Sequence, residues 1–380
     1  MTRTIIDINV LQTVPPSNLN RDDNGSPKTA VYGGTRRARV SSQAWKRATR
    51  LGFKTRLNPS ELGVRTKRVV ELLAERIHEK NSGIEKEAAL DLAKKTLESA
   101  GVKLSPPRVA KGQTAGPDES GFLLFLSSLQ VDHLAGAALE AAASDDFAAT
   151  LKSLELKKKL DLNHSVDIAL FGRMVADATD LNVDAASQVA HALSVHEVDN
   201  EFDYYTAVDD HKAADDAADA GAGMIGTVEF NSSTLYRYAT VDANRLMDNL
   251  GDVEATKRAV EAFVDSFVTS MPTGKQNTFG NRTLPDAVIV TVRSTQPVNL
   301  VGAFEEPVSA PHLKNAAAKL AKYVGDLSEA YGSLVAPDRV WVARVSDSLQ
   351  SLDALGPRVP LSELVTQLGS VVEEQLKAQP

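Results

Sequence analysis

The sequence predicts an α+β fold with a split βαββαβ core, and three stretches predict it. Near the start, "TIIDINVLQTV" alternates Ile6, Ile8 and Val10 with Asp7 and Asn9, the period of two expected of a half-buried strand. Later, "GTVEFNSSTLYRYATVD" and "DAVIVTVRS" have strand character of their own. Between them "VEATKRAVEAFVDSFVTSM" repeats Val253, Val260, Phe263 and Phe267 at helical spacing. With an early helix, these give strand, helix, strand pair, helix and strand, the ferredoxin-like arrangement.

The remaining elements follow in chain order. A polar, turn-rich loop, "PPSNLNRDDNGSPK", leaves the first strand. "SSQAWKRATRLGF" reads as a helix capped by Ser41 or Ser42 and ending near Gly52. Gln43, Lys46, Arg47 and Arg50 share one of its faces, and Ala44, Ala48 and Leu51 form the side expected to be buried. From 65 to about 160 the helix-forming segments "TKRVVELLAERIHEK", "EKEAALDLAKKTLESA" and "FLLFLSSLQVDHLAGAALEAAA" read as a helical insertion, broken by "SPPRVAKGQTAGPDESG". Residues 206–226, "TAVDDHKAADDAADAGAGMIG", fit no packed element and read as a long excursion with an apolar tip at Met224 and Ile225. An amphipathic helix around 311–333, the strand "RVWVARV" and the helix "SELVTQLGSVVEEQLKA" complete the chain.

Composition narrows the function. The 380 residues are 43% hydrophobic and 24% charged, which suits a globular protein, and no Cys is present. Disulfides, thiolate zinc sites and a cysteine nucleophile are thereby excluded. The opening "MTRTIIDINVLQTV" has no signal-peptide core, and no apolar run approaches the roughly 18 residues of a membrane helix, so a cytoplasmic protein is expected. The net charge of −8 conceals an asymmetry: residues 1–56 hold 11 Lys/Arg against 3 Asp/Glu, leaving 31 against 47 elsewhere. Within "YGGTRRARVSSQAWKRATR" lie six basic side chains and no acid, and no Asp or Glu occurs from 24 to 60. Solvated helix faces ordinarily mix both signs, so this run reads as the footprint of a polyanion.

Catalytic signatures are absent. "GAGMIG" matches G-x-G-x-x-G, yet it follows no strand and opens no helix, and it reads better as a flexible hinge than as a nucleotide site. His191 and His196 stand five apart rather than four, and no H-E-x-x-H exists, so each histidine reads as structural. Asp209, Asp210, Asp215 and Asp216 sit in the excursion rather than on rigid elements, and read as solvated acid. No catalytic, metal or cofactor site is expected. Aromatic content is only 5%, so contacts to phosphates should outweigh base stacking on the sheet.

Taken in order, "SNLNRDD", "YGGTRRARVSSQAWKRATR", "VDIALFGRM", "DYYTAVDD" and "EFNSSTLYRYATVD" resemble the CasC family, the guide-RNA-binding backbone subunits of the type I-E CRISPR complex Cascade, within the RAMP superfamily. The resemblance runs to about residue 300 and is thinner over 60–160. It implies an RRM-like palm (1–59, 161–205 and 227–380 with the C-terminal helices), helical fingers (60–160) and a thumb (206–226). It further implies a non-catalytic scaffold for antiviral surveillance, whose copies line up head-to-tail on CRISPR guide RNA. Other Cascade subunits and the target DNA strand are the remaining partners implied, and no membrane. By the same resemblance Arg21, Lys28, Ser41, Gln43, Lys46 and Arg50 hold guide phosphates and sugars, contacts that position RNA without reading its sequence. Met174, Met224 and Ile225 are the implied apolar wedge that kinks it; Met174 as an ordinary core residue is the alternative. Lys152, Lys157, Lys158 and Lys159 face either target DNA or solvent. A RAMP-type endoribonuclease acting on precursor CRISPR RNA is the competing reading, although no histidine precedes His78 to serve as its base near the first helix.

Overall fold

Strand β1 (Ile5–Ser17) is buried along most of its length, on both faces. The computed structural model describes residues 3–107, 109, 116–160, 162–175, 179–207 and 224–378. After β1 come the hairpin β2 (Thr29–Tyr32) and β3 (Thr35–Val40) and the helix α1 (Ser42–Gly52). Next are β4 (Gly63–Thr66), α2 (Val69–Lys80), α3 (Lys86–Ser99), the short pair β5 (Leu104–Ser105) and β6 (Glu119–Ser120), and β7 (Leu124–Ser127). Helices α4 (Ser128–Ala142), α5 (Phe147–Ser153), α6 (Leu156–Lys159) and α7 (Val166–Phe171) follow. Then come β8 (Ser187–Val189), β9 (Ala192–Ser194), β10 (Glu201–Ala207) and β11 (Met224–Asp242). The chain continues through α8 (Ala243–Leu250), α9 (Val253–Thr269), α10 (Gln276–Phe279), β12 (Ala287–Arg293), α11 (His312–Tyr331), β13 (Arg339–Arg344) and α12 (Leu361–Lys377).

The main sheet runs β13-β12-β1-β11-β9-β3-β2. Its inner path β12-β1-β11-β9 places the first and third core strands side by side with the fourth and second outside them. With α1 and α9 as the two crossovers, this is the expected α+β core. β1 pairs antiparallel with β12 from Ile5↔Arg293 to Leu11↔Ala287. At one end of the sheet β13 has a partner of its own: the amide of Val342 donates to Pro357 O at 3.0 Å, and that of Val359 to Val342 O at 2.9 Å. At the other end lies β2, only four residues long.

The chain divides into two compact units. The first comprises Met1–Gly52, Val189–Thr240 and Phe263–Pro380. One face of its sheet packs Leu11, Tyr238 and Ile289 under Phe304 and under Ala317 and Leu320 of α11. The other packs Val14, Val40 and Leu235 against Trp45 of α1. Because both faces are covered, Asp7 and Asn9 are buried, where alternation alone predicts that they meet water. Asp7 is satisfied by Arg293 Nε at 3.0 Å, Tyr238 OH at 2.7 Å and the Val298 amide at 3.1 Å. Burial nevertheless pushes its carboxyl above the ordinary value, against those hydrogen bonds.

Beneath α1 the guanidinium of Arg237 lies 3.7 Å from the Trp45 ring centre and 4.6 Å from that of Phe267. It donates to Gln12 Oε1 at 2.5 Å and to the carbonyl of Phe267. Burial lowers its pKa to about 9, so it stays charged at neutral pH. Held this way, α1 buries Trp45, Ala48 and Thr49. Leu51, expected on the buried side, is 44% exposed. The buried stripe follows Trp45, the helix's largest apolar group, and residues 45, 48, 49 and 52 share that side.

The β2–β3 turn is "GG", with φ of +57° at Gly33 and +77° at Gly34, the pair of left-handed residues a two-residue hairpin favours. A Cβ on Gly33 would also stand 1.6 Å from Glu305 O. Gly33→Ala is therefore expected to destabilise the protein by about 1–3 kcal/mol or more, read as a lower denaturant midpoint. An unchanged midpoint would mean the turn carries no such constraint.

The second unit comprises Phe53–Gln188 and Val241–Ala262. Its core joins Leu73 and Ile77 of α2, Ala93 and Leu97 of α3, and Leu134 and Ala138 of α4. The expected helix over "FLLFLSSLQ" is a strand first: β7 pairs with β4 from Gly63↔Ser127 to Thr66↔Leu124. Ser127 then starts α4 with a capping box, its Oγ accepting from Gln130 N and Gln130 Oε1 accepting from Ser127 N, each at 3.0 Å. Among the described residues no helix is long and apolar enough to cross a membrane.

Candidate nucleic-acid interface

The carboxylate-free run begins inside the loop ahead of β2, just after Asp22 and Asp23, and continues through the β2–β3 hairpin and α1. The loop is closed by an Arg21↔Pro27 bridge and by Asp22 Oδ1, which accepts from the amides of Asn24 and Ser26 at 2.9 and 3.0 Å. It is tied to β3 because the Arg39 amide donates to Lys28 O at 2.9 Å. Arg21 is exposed and Lys28 half-buried. A small cleft of mixed character lies beside them, where Asn20, Lys28, Arg39 and Asn231 meet the apolar Leu19 and Val40.

Ser41 is the N-cap of α1, with its Oγ accepting from Ala44 N at 3.3 Å and its own amide donating to Asn20 Oδ1 at 2.9 Å. Ser41 is itself buried, so it serves first as the cap that fixes the start of α1. Gln43 and Arg47 are exposed along α1, and Lys46 and Arg50 are half-buried. Burial lowers the Lys46 ammonium from its ordinary value. The structure thus carries Ser41, Gln43, Lys46 and Arg50 on one short rigid element, with Lys28 on the loop anchored to β3.

Not all of the run's charge faces outward. Arg37 is fully buried and donates to the carbonyls of Ser194, Phe304 and Glu305 at 2.9–3.0 Å. It is a strut of the fold.

His191 is the residue that sequence reasoning missed. Its Nδ1 accepts the Ser42 amide at 3.2 Å, at the start of α1. Burial, with Arg39 and Lys28 nearby, holds the imidazole below the ordinary histidine range. A neutral ring accepting at Nδ1 carries its proton at Nε2, so it offers a donor and not a base. Only strand pairing brings it here from 149 residues away in sequence, and no local pattern could signal that.

The excursion at 206–226 differs from its expected form. Its ends are strand: β10 and β11 pair from Glu201↔Phe230 to Ala207↔Met224, with Thr206 opposite Ile225. Met224 and Ile225 therefore lie on the stem of a hairpin, and residues 208–223 lie outside those described. Half of "GAGMIG" is strand as well, in place of the expected hinge. Gly226 faces Tyr205, where a Cβ would come within 2.4 Å of the ring, so the glycine makes room for an aromatic neighbour. Ile225 is 61% exposed, and Phe202 and Tyr204, two apart on β10, are 66% and 63% exposed. Such rings offer faces for bases to stack on. The aromatic alternation in "EFDYYT" is their sequence signal.

In the second unit Met174 is 83% exposed, which removes its reading as a core residue. Lys152 lies on α5 and Lys157, Lys158 and Lys159 on α6, so the four do not share one helix. Lys158 pairs with Glu155 at 2.7 Å. Among the described residues no cluster of three or more His, Asp or Glu could hold a metal ion.

Residues 6–367 match the family model described as CT1975-like protein. A solved chain described as "CRISPR RNA-guided surveillance complex, pre-nicking" is 33% identical with a TM-score of 0.81, covering 97% of this chain and 100% of that one. Another, described as "CRISPR RNA-guided surveillance complex", is 29% identical with a TM-score of 0.69, covering 96% and 99%. No curated protein matches.

Proposed function

We propose that this chain, which belongs to the CT1975-like protein family, is a guide-RNA-binding backbone subunit of a CRISPR surveillance complex, of the CasC kind. One observation carries the reading. A segment without a single carboxylate is folded so that the start of α1, with Ser41, Lys28, Arg39 and His191, and its outward residues Gln43, Lys46 and Arg50 present donors and cations and no base-reading aromatic. Such a surface suits a polyanion of any sequence, which a guide requires because base pairing does the reading.

In this reading residues 1–59, 161–205 and 227–380 are the palm, 60–160 the fingers and 206–226 the thumb. Copies stand head-to-tail along one guide, a heterologous arrangement that propagates as a filament. Met174 and the stem residues Ile225 and Met224 form the apolar wedge at the guide. Lys152, Lys157, Lys158 and Lys159 are the residues that would face a target DNA strand.

A second reading, a ribonuclease acting on precursor RNA, draws support from His191, which stands beside the first helix where such an enzyme needs its base. The hydrogen bond from Ser42 opposes it, since it keeps the outward nitrogen protonated. The purified subunit is expected to leave RNA and DNA intact with Mg²⁺ or Mn²⁺, and His191→Ala should change nothing in that assay. Cleavage lost in His191→Ala would overturn the scaffold in favour of the enzyme.

A further inference from the structure

Met174 combines two properties. At 83% it is the most exposed of the large apolar side chains among the described residues, yet both its neighbours are buried and pinned. Arg173 is 5% exposed and Val175 is 1% exposed. The backbone of Arg173 exchanges two hydrogen bonds with Val183, at 3.0 and 2.8 Å, and the amide of Val175 donates to Asn182 Oδ1 at 2.6 Å.

The Arg173 side chain secures that backbone from below. Its Nε donates to Leu181 O at 2.7 Å and its Nη2 to Leu160 O at 2.8 Å. Its Nη1 lies 3.3 Å from both Phe125 O and Gln130 Oε1. One planar group therefore fastens β7, the end of α6 and the 181–183 strip to the residue that precedes Met174. A lysine offers one point of attachment and cannot reproduce this fork. Just before it, Gly172 has a φ of +78°, and a Cβ there would stand 2.8 Å from Val183 O. The chain turns sharply onto the clamp and projects one side chain.

We propose that Arg173 is the positioning residue of Met174: its buried guanidinium holds the Met174 backbone rigid so that the thioether enters the guide at a fixed height. This rests on the proposed wedge. Holding a base out of the stack requires an inserted group that does not yield, because unstacking opposes it at every step. On a loose backbone Met174 would swing aside, and the base would return.

The test assembles the complete complex on guide RNAs carrying 2-aminopurine at successive positions. Wild-type subunit should give bright, evenly spaced positions where the base is unstacked, and Met174→Ala should lose them. Arg173→Met and Arg173→Lys should lose them too, with RNA still bound and the subunit still folded by circular dichroism. Asn182→Ala, a change at an exposed residue that frees the Val175 amide, should dim the same positions. Should the arginine variants fail to fold, the asparagine variant decides. Bright positions unchanged in the folded arginine variants, or in Asn182→Ala when it alone folds, overturn the positioning role. A wild-type pattern with no bright positions overturns the wedge itself.

Discussion

Lys46→Glu and Arg50→Glu together are expected to strip guide RNA from the protein while the chain still folds. Both residues are half-buried on the outward side of α1, whose packing depends on Trp45, Ala48 and Thr49. A hydrogen bond to a charged group contributes about 1.5–3 kcal/mol, so losing two should lower affinity by about 10²–10⁴-fold. The salt dependence should flatten by about 0.7 in log-log slope for each phosphate no longer neutralised, the single-strand value. Burial has already lowered the Lys46 ammonium, and a phosphate beside it acts in the opposite sense. RNA recovered with an unchanged slope would place the groove elsewhere. Arg37→Met is the contrast: its guanidinium donates to carbonyls inside the fold, so its loss should lower stability before it alters the slope.

Replacing 208–223 with a short Gly-Ser link, leaving the β10–β11 stem intact, is expected to weaken assembly on the guide and to erase its periodic distortion. The replaced sequence is mostly Ala, Asp and Gly and has few apolar side chains to form a core. In the proposed filament it acts on the neighbouring copy and its RNA. Chemical probing of the bound wild-type guide should show evenly spaced hyper-reactive nucleotides, and the shortened protein should show uniform, low reactivity. A change on the fingers such as Lys157→Ala should leave the spacing intact. Uniform reactivity with the wild-type protein would sink the idea of a wedge.

What the sequence made legible was what depends on period and on local charge. The alternation in β1, the repeat in α9 and the strand in "DAVIVTVRS" mark elements that burial at fixed spacing defines. The carboxylate-free run marks α1 and its surroundings. Illegible were features set by pairing across the chain. Asp7 and Asn9 look like solvent-facing positions until α11 and Phe304 cover that face of the sheet. His191 arrives beside Ser42 only through the β3–β9 pairing. Arg37 and Arg36 are neighbours of identical chemistry, yet strand geometry sends one inward and the other to solvent. The strand Leu124–Ser127 reads as helix because a short apolar run carries no period of its own, and its partner β4 decides the matter.

One consequence follows from the two ends of the main sheet. A row of unpaired amides and carbonyls is the usual seed for fibres, and the proposed filament would set copies of this chain side by side at a local concentration that favours them. Here the strand β13 is already paired with the segment reaching Val359, and the opposite edge is only the four residues Thr29–Tyr32. The two ends of this path therefore give identical chains little length on which to add strand to strand, and a longer edge is the outer side of β10, Glu201–Ala207, whose one partner among the described strands is β11. In the proposed filament the RNA thread then sets how far a row extends, and strand addition between copies would have to begin at that stem.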